Sequence, residues 1–338
     1  MPQKPVSYEE IKNTLDEIGV EAGDIVYVAS FLAILGNSIT IMDDTIRALL
    51  DSVGPEGTIV MPVFNFGFCE GELFDPGTTI STTGALSEAF RMRPDATRSV
   101  HPPFHSVAAI GKHADAIAAI RSSSSFGKDS VFHWLYTMNA KHILLGCTYE
   151  QGVAHFHWLE EMYEVPYRYW KQFRGLVQIA DEVEERTYYM YVRRLDIEAD
   201  WGPNVNRLGA EFETAGLVRE SSLGLGKVKV FGLVDFHDFM GPRIQSDNLL
   251  LAHDGVIPHY RPKYTPVTRL HHIGIVSKYG PKLEKFFKDV GYQIAYGGLV
   301  PELGVDTTLY DGFNVMVEFV NPVGDASVVQ GHLDHYPD

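Results

Sequence analysis

The sequence predicts an α/β sandwich with a largely buried sheet, followed by a small C-terminal βαβββ module. Three observations carry this expectation. Short continuous apolar runs alternate with helical segments over the first 146 residues, the pattern of a sheet covered on both faces. From residue 173 to 233 the runs become aromatic and β-branched, as in antiparallel strands. Around His259-Tyr260-Arg261-Pro262-Lys263-Tyr264-Thr265-Pro266 all periodicity stops, and a compact unit with its own pattern follows. The expected organisation is a domain over residues 1–258, a linker over 259–267 and a module over 268–338.

In order along the chain, residues 7–18 read as a helix. Ser7 can cap it, Glu10 stands three residues on, and Ile11, Leu15 and Ile18 recur at helical spacing. Ile25-Val26-Tyr27-Val28-Ala29-Ser30 is a buried strand. Residues 43–53 form a helix with Ile46, Leu49, Leu50 and Val53 on one face. Residues 57–62 are a strand, 84–91 a helix, and 106–111 and 143–146 further strands. Residues 176–179, 186–192 and 226–231 are the antiparallel candidates, with a helix near 206–214 between two of them and a last helix over 243–251. In the C-terminal module the order is strand 270–276, helix 280–290, then strands 292–297, 307–310 and 314–320.

Composition narrows the function classes. A net charge of -16 disfavours nucleic-acid binding, which draws its affinity from basic surface, and is compatible with a cationic substrate. No apolar run reaches the roughly 20 residues of a membrane helix, and the first residues lack a signal-peptide core. No membrane association and a cytoplasmic location are the expectations. Two cysteines, Cys69 and Cys147, do not make a disulfide framework and read as small buried hydrophobes.

The stretch His155-Phe156-His157-Trp158-Leu159-Glu160-Glu161 carries the chemistry. It follows the apolar strand that ends in Gly146-Cys147, where α/β sheets place their ligands. Residues three and four apart share a helix face, so a carboxylate here can orient a histidine and stabilise its charged form. Spacing alone does not choose between His155 and His157, or between Glu160 and Glu161. Cys147 is a second nucleophile candidate, with either histidine as its base.

Five ordered blocks over roughly residues 7–255 resemble the aminoglycoside 3-N-acetyltransferase family and its antibiotic N-acetyltransferase fold. They are Gly23 through Leu32; Gly57 through Pro62; Phe74-Asp75-Pro76 with Gly84 through Arg91; Arg98-Ser99-Val100-His101-Pro102-Pro103-Phe104-His105-Ser106 and its continuation to Gly111; and the histidine segment with Val165-Pro166-Tyr167-Arg168. The resemblance implies acyl transfer from acetyl-CoA or another acyl-CoA to an amine of an amino sugar or aminoglycoside, by direct attack. It implies His157 as general base and Glu160 as its supporting carboxylate. It also implies a coenzyme-A-binding turn at Ser30, Phe31 and Leu32, with Arg98, Ser99 and Ser106 lining the site. Arg98 has an equal claim to bracing the fold. The chain departs from the family at Ala29, where histidine is usual, at Phe31, where serine is usual, and at Ala154, where a threonine commonly stands. His155 is an additional histidine nearby.

Leu270-His271-His272-Ile273-Gly274-Ile275-Val276 and Val317-Glu318-Phe319-Val320 resemble the first and last strands of a vicinal oxygen chelate module of the methylmalonyl-CoA epimerase or glyoxalase type. That resemblance implies His272 and Glu318 as two ligands of a divalent metal. A lone module supplies half a site, so the second half comes from another copy of the chain, from a separate protein, or not at all; a homodimer is the expectation, with this module as one route to it. The first reading is therefore the N-acyltransferase. The fused module and altered motif positions tilt it towards biosynthesis rather than resistance. The alternatives are a metal-dependent epimerase or lyase built from paired modules, and a non-catalytic assembly protein.

Overall fold

The computed structural model describes residues 6–35, 40–100, 102–194, 201–252, 272–275, 280–289, 293–300, 305–312, 315–323 and 327. The chain divides into two compact units, residues 1–260 and 261–338. In the first unit the elements run α1 (Tyr8–Glu17), β1 (Ile25–Ser30), α2 (Ile41–Val53), β2 (Thr58–Pro62), α3 (Ala85–Arg91), β3 (Thr97–Arg98), β4 (Val107–Gly111), α4 (Ala114–Ala118), α5 (Val131–Thr137) and β5 (Lys141–Leu145). They continue with α6 (Tyr149–Gly152), α7 (His155–Met162), β6 (Arg168–Ile179), β7 (Glu182–Arg193), α8 (Trp201–Thr214), β8 (Arg219–Leu223), β9 (Gly226–Gly232) and α9 (Leu233–Ser246).

Seven strands form one mixed sheet in the order β3-β4-β2-β1-β5-β9-β8. β1 is parallel to both β2 and β5, while β4 and β9 are antiparallel to their neighbours β2 and β5. Side chains alternate across a strand, and here the alternation divides the core in two. Tyr27, Ala29 and Leu144 face a layer that includes Phe132, Phe156, Leu208 and Phe236. Val26, Val28, Ile143 and Leu145 face the layer of Ile11, Leu15, Ile46 and Leu49. Both sheet faces are thus covered, and each fully buried aliphatic chain contributes about 1.5–3 kcal/mol of transfer free energy. The predicted sandwich is present.

Local signals explain the early elements. Ser7 Oγ accepts from the Glu10 amide, and Glu10 Oε2 accepts from the Ser7 amide at 2.8 Å, a complete capping box. Gly152 lets α6 lie against the sheet, since a Cβ there would come within 2.4 Å of Leu144 Cδ2 and 3.0 Å of Ala29 Cβ.

The run 226–231 is antiparallel, as expected, and joins the main sheet as β9, while β6 and β7 form a separate hairpin. Two readings of the sequence are corrected. The helix expected near 206–214 starts at Trp201. The last helix is Leu233–Ser246, not 243–251. Pro242 lies inside it and reads as a breaker in sequence, yet Phe236, Phe239, Met240 and Ile244 keep the apolar face continuous across it.

The second unit contains β10 (His272–Ile275), α10 (Gly280–Asp289), β11 (Gln293–Val300), β12 (Val305–Gly312) and β13 (Val315–Pro322), with sheet order β10-β13-β12-β11. β10 runs parallel to β13, with His272 opposite Met316 and Gly274 opposite Glu318. The side chains of His272 and Glu318 lie outside the described residues. Among the described residues, no helix is long and apolar enough to cross a membrane, and no group of three His, Cys, Asp or Glu gathers as a metal site.

Candidate active site

A cavity of about 420 Å³ opens at the carboxyl ends of the parallel strands β1 and β5. Ala29 and Ser30 close β1 at its floor, Cys147 follows β5, and α6 with Val153 and Ala154 forms one wall. Phe64 and Phe66, from the segment after β2, form another. His105, His157 and Trp201 complete the polar and aromatic lining. This is where an open α/β sheet leaves a crevice between loops.

His157 lies on the first turn of α7 and its side chain is 30% exposed, whereas that of Glu160 is fully buried. His157 Nδ1 is 2.6 Å from Glu160 Oε2. Two lone pairs do not approach so closely, so Nδ1 carries the proton and donates it, and Nε2 holds the free lone pair. Arg168 Nε lies 2.8 Å from the same carboxylate oxygen. Its Nη2, 3.0 Å from His157 Nδ1, therefore meets an N–H rather than an acceptor. The other oxygen, Oε1, accepts from Tyr167 Oη and Trp201 Nε1, each at 2.8 Å. Trp201 also stacks on the His157 ring, with centroids 4.9 Å apart.

These contacts set the charges. Burial pushes the Glu160 carboxyl upward, but Arg168, His157 and Tyr167 outweigh it and hold the group below the ordinary carboxylate range. Burial and the Arg168 charge lower the pKa of His157, with Glu160 opposing them. His157 is thus a neutral base at neutral pH, fixed in one tautomer.

Glu161 faces the other way. Its Oε1 accepts from Ser124 Oγ at 2.5 Å, while Oε2 is buried without a partner among the described residues. Burial raises its pKa to about 7. The folded value lies above the ordinary 4.5, so folding favours the protonated acid. That stability is complete below pH 4.5 and is lost as pH rises through 7. Glu161→Gln should therefore gain on wild type by up to about 3 kcal/mol between pH 4.5 and 8. Denaturant melts across that range measure the gap, and a gap that does not change with pH contradicts the assignment.

His155, the alternative base, is fully buried between Tyr27, Phe132 and His142, with burial holding its pKa well below the ordinary histidine value. It packs and does not reach the cavity. The Cys147 thiol lines the cavity, but burial pushes its pKa up to about 12, away from thiolate chemistry.

The residues expected to meet a cofactor separate into two groups. Ser30 lines the cavity and Phe31 is 51% exposed beside it, with Leu32 opening a short 3₁₀ turn. The Phe31 amide is already committed to the Leu145 carbonyl at 2.8 Å, so it is not free for a phosphate oxygen. Arg98, Ser99 and Ser106 do not line the cavity. Arg98 is buried and donates to the carbonyls of Thr79 and Val63 and to Ser106 Oγ. Ser106 Oγ donates to the Val63 carbonyl, and Ser99 Oγ accepts from the Val107 amide. They brace the backbone beside Phe64 from behind, the role with an equal claim for Arg98 in sequence. Sequence reasoning gave no part to Phe64, Phe66, His105 or Trp201. His105 and Arg168 stand inside recognised blocks, but Trp201 carried no signal, since it reaches Glu160 across 41 residues of chain.

Fold and site define an α/β protein with an oriented histidine in a crevice at the carboxyl ends of its central strands, the arrangement of an enzyme. A model of the aminoglycoside 3-N-acetyltransferase family matches residues 28–245, and the chain belongs to that family. It is 25% identical over 267 residues to aminoglycoside N(3)-acetyltransferase VII of Streptomyces paromomycinus, covering 70% of this chain and 90% of that protein. Among solved structures, aminoglycoside acetyltransferase AAC(3)-Xa superposes with a TM-score of 0.64 at 24% identity, over 72% of this chain and 93% of that one. AAC-IIIb, solved as a binary complex with CoASH, has a TM-score of 0.63 at 18% identity, over 72% and 97%.

Proposed function

We propose that the protein moves an acyl group, acetyl in the first instance, from coenzyme A to an amine of an aminoglycoside or related amino sugar, with His157 as general base. The observation that carries this reading is His157 Nδ1 held 2.6 Å from the buried Glu160 while its ring lines the cavity. Nε2 accepts the amine proton as nitrogen attacks the thioester carbon. The C–N bond forms, the C–S bond breaks, and the thiolate leaves with a proton. Attack is direct, and the raised pKa of the Cys147 thiol speaks against an acyl-enzyme on that residue. Membership of the family and a neighbour that binds CoASH support the acyl donor. The family match ends at residue 245, and the chain's further unit beyond it favours a biosynthetic acceptor over a drug.

A thiol-release assay pairing acetyl-CoA and longer acyl-CoAs with aminoglycosides and simple amino sugars tests this. Release that depends on both partners is expected, and no release with any pair rejects the reading.

For the second unit, we infer a vicinal-oxygen-chelate-like module that pairs two copies of the chain. Its strand–helix–strand–strand–strand order supports this, as do the neighbouring strands that carry His272 and Glu318. Each module offers two such positions, so a metal that takes three or four protein ligands needs both copies, and the proposed acyl transfer needs none.

A further inference from the structure

Acyl transfer from a thioester places negative charge on the carbonyl oxygen, and an enzyme needs a fixed donor there. We propose that His105 is that donor, presenting Nε2–H to the thioester oxygen across the cavity from His157. The proposal rests on the acyl-transfer reading above.

The tautomer follows from Ser125. This serine is 1% exposed, and its hydroxyl lies 2.7 Å from His105 Nδ1 with no other partner among the described residues. Were Nδ1 the donor, the buried Ser125 proton would have no acceptor, an arrangement that costs about 1–3 kcal/mol. Ser125 therefore donates to Nδ1, and the proton of the neutral ring sits on Nε2. That nitrogen has no partner among the described residues, and the ring lines the cavity.

The ring is rigidly held. Phe64 and Phe66 meet it edge-on, with centroids 4.8 and 5.3 Å away. Phe126 lies between the two histidines, 4.9 Å from His105 and 5.7 Å from His157. Burial, with the charges of His157 and Arg168, holds the His105 pKa down at about 3, so it stays a neutral donor throughout the working range.

Three of the other side-chain donors on the lining are already committed. Thr82 and Thr83 donate to the carbonyls of Phe64 and Pro62, and Trp201 Nε1 donates to Glu160. Ser30, the Gln151 amide and the buried Tyr27 hydroxyl, which has no partner among the described residues, are the competitors.

Steady-state kinetics of His105→Phe, His105→Gln and Ser30→Ala in the full chain decide the matter. His105→Phe keeps the ring and removes the donor, and kcat should fall about 10²–10³-fold. The KM for acetyl-CoA and the acid limb of the pH profile, which belong to other groups, should not move. His105→Gln restores an N–H and should recover at least tenfold of the loss. Wild-type kcat in His105→Phe, or a loss that Ser30→Ala reproduces while His105→Phe does not, overturns the proposal. An inactive wild type with every amine overturns the acyl-transfer reading and this proposal with it, whereas an active wild type with an unimpaired His105→Phe removes this proposal alone.

Discussion

His157→Ala is expected to lower kcat for acyl transfer about 10²–10⁴-fold while acyl-CoA still binds. The ring lines the cavity, held by Glu160 at Nδ1 and by Trp201 stacked on its face, so truncation removes the proposed base without reaching the sheet core. Calorimetry with CoA separates binding from chemistry. The wild-type kcat/KM profile should rise through an acid limb centred below 6.5, because burial and Arg168 lower the pKa of His157. Arg168→Met removes one of those causes and should shift that limb upward. Near-normal turnover in His157→Ala would mean that another group takes the proton.

Glu160→Gln should be the more disruptive change. The carboxylate is fully buried, accepts from His157 Nδ1, Tyr167 Oη and Trp201 Nε1, and pairs with the Arg168 charge. An amide replaces an acceptor with a donor on one side and leaves the Arg168 charge, whose side chain is 11% exposed, without its partner. Removing one member of a buried pair costs about 3–5 kcal/mol, which for a chain of this size lowers the melting temperature by roughly 10 °C. Activity should fall as in His157→Ala, since nothing then fixes the tautomer. Calorimetric melts and initial rates test both halves. A variant that melts and turns over like wild type would show that Glu160 neither holds the fold nor orients His157.

The layered fold was legible because its signals are local. The continuous apolar run from Val26 to Ala29 and the helical spacing of Ile11, Leu15 and Ile18 need no knowledge of distant chain. Pro242 misled because a proline's cost is read locally, whereas the packing that outweighs it is not. The same divide runs through the site. His157 and Glu160 are three residues apart, and Tyr167 and Arg168 follow within the next eight, so the dyad and half its support lie in one short stretch. The choice between Glu160 and Glu161 is tertiary. Trp201 and Arg168 close on one flank of α7, and Ser124 on the other. His105 and Phe64 enter through strand order, which spacing does not encode.

The surroundings of Glu160 have a consequence for proton traffic. Three hydrogen-bond donors meet the carboxylate, and the Arg168 charge lies 2.8 Å from Oε2. Together they hold the group ionised below the ordinary carboxylate range, so the carboxylate is a fixed anchor rather than a proton relay behind the imidazole. The imidazole then has one doorway, and a proton that enters at Nε2 must leave by the same atom. Release of the thiol and readiness for the next amine are thereby coupled, since the sulfur that departs is the natural taker of that proton.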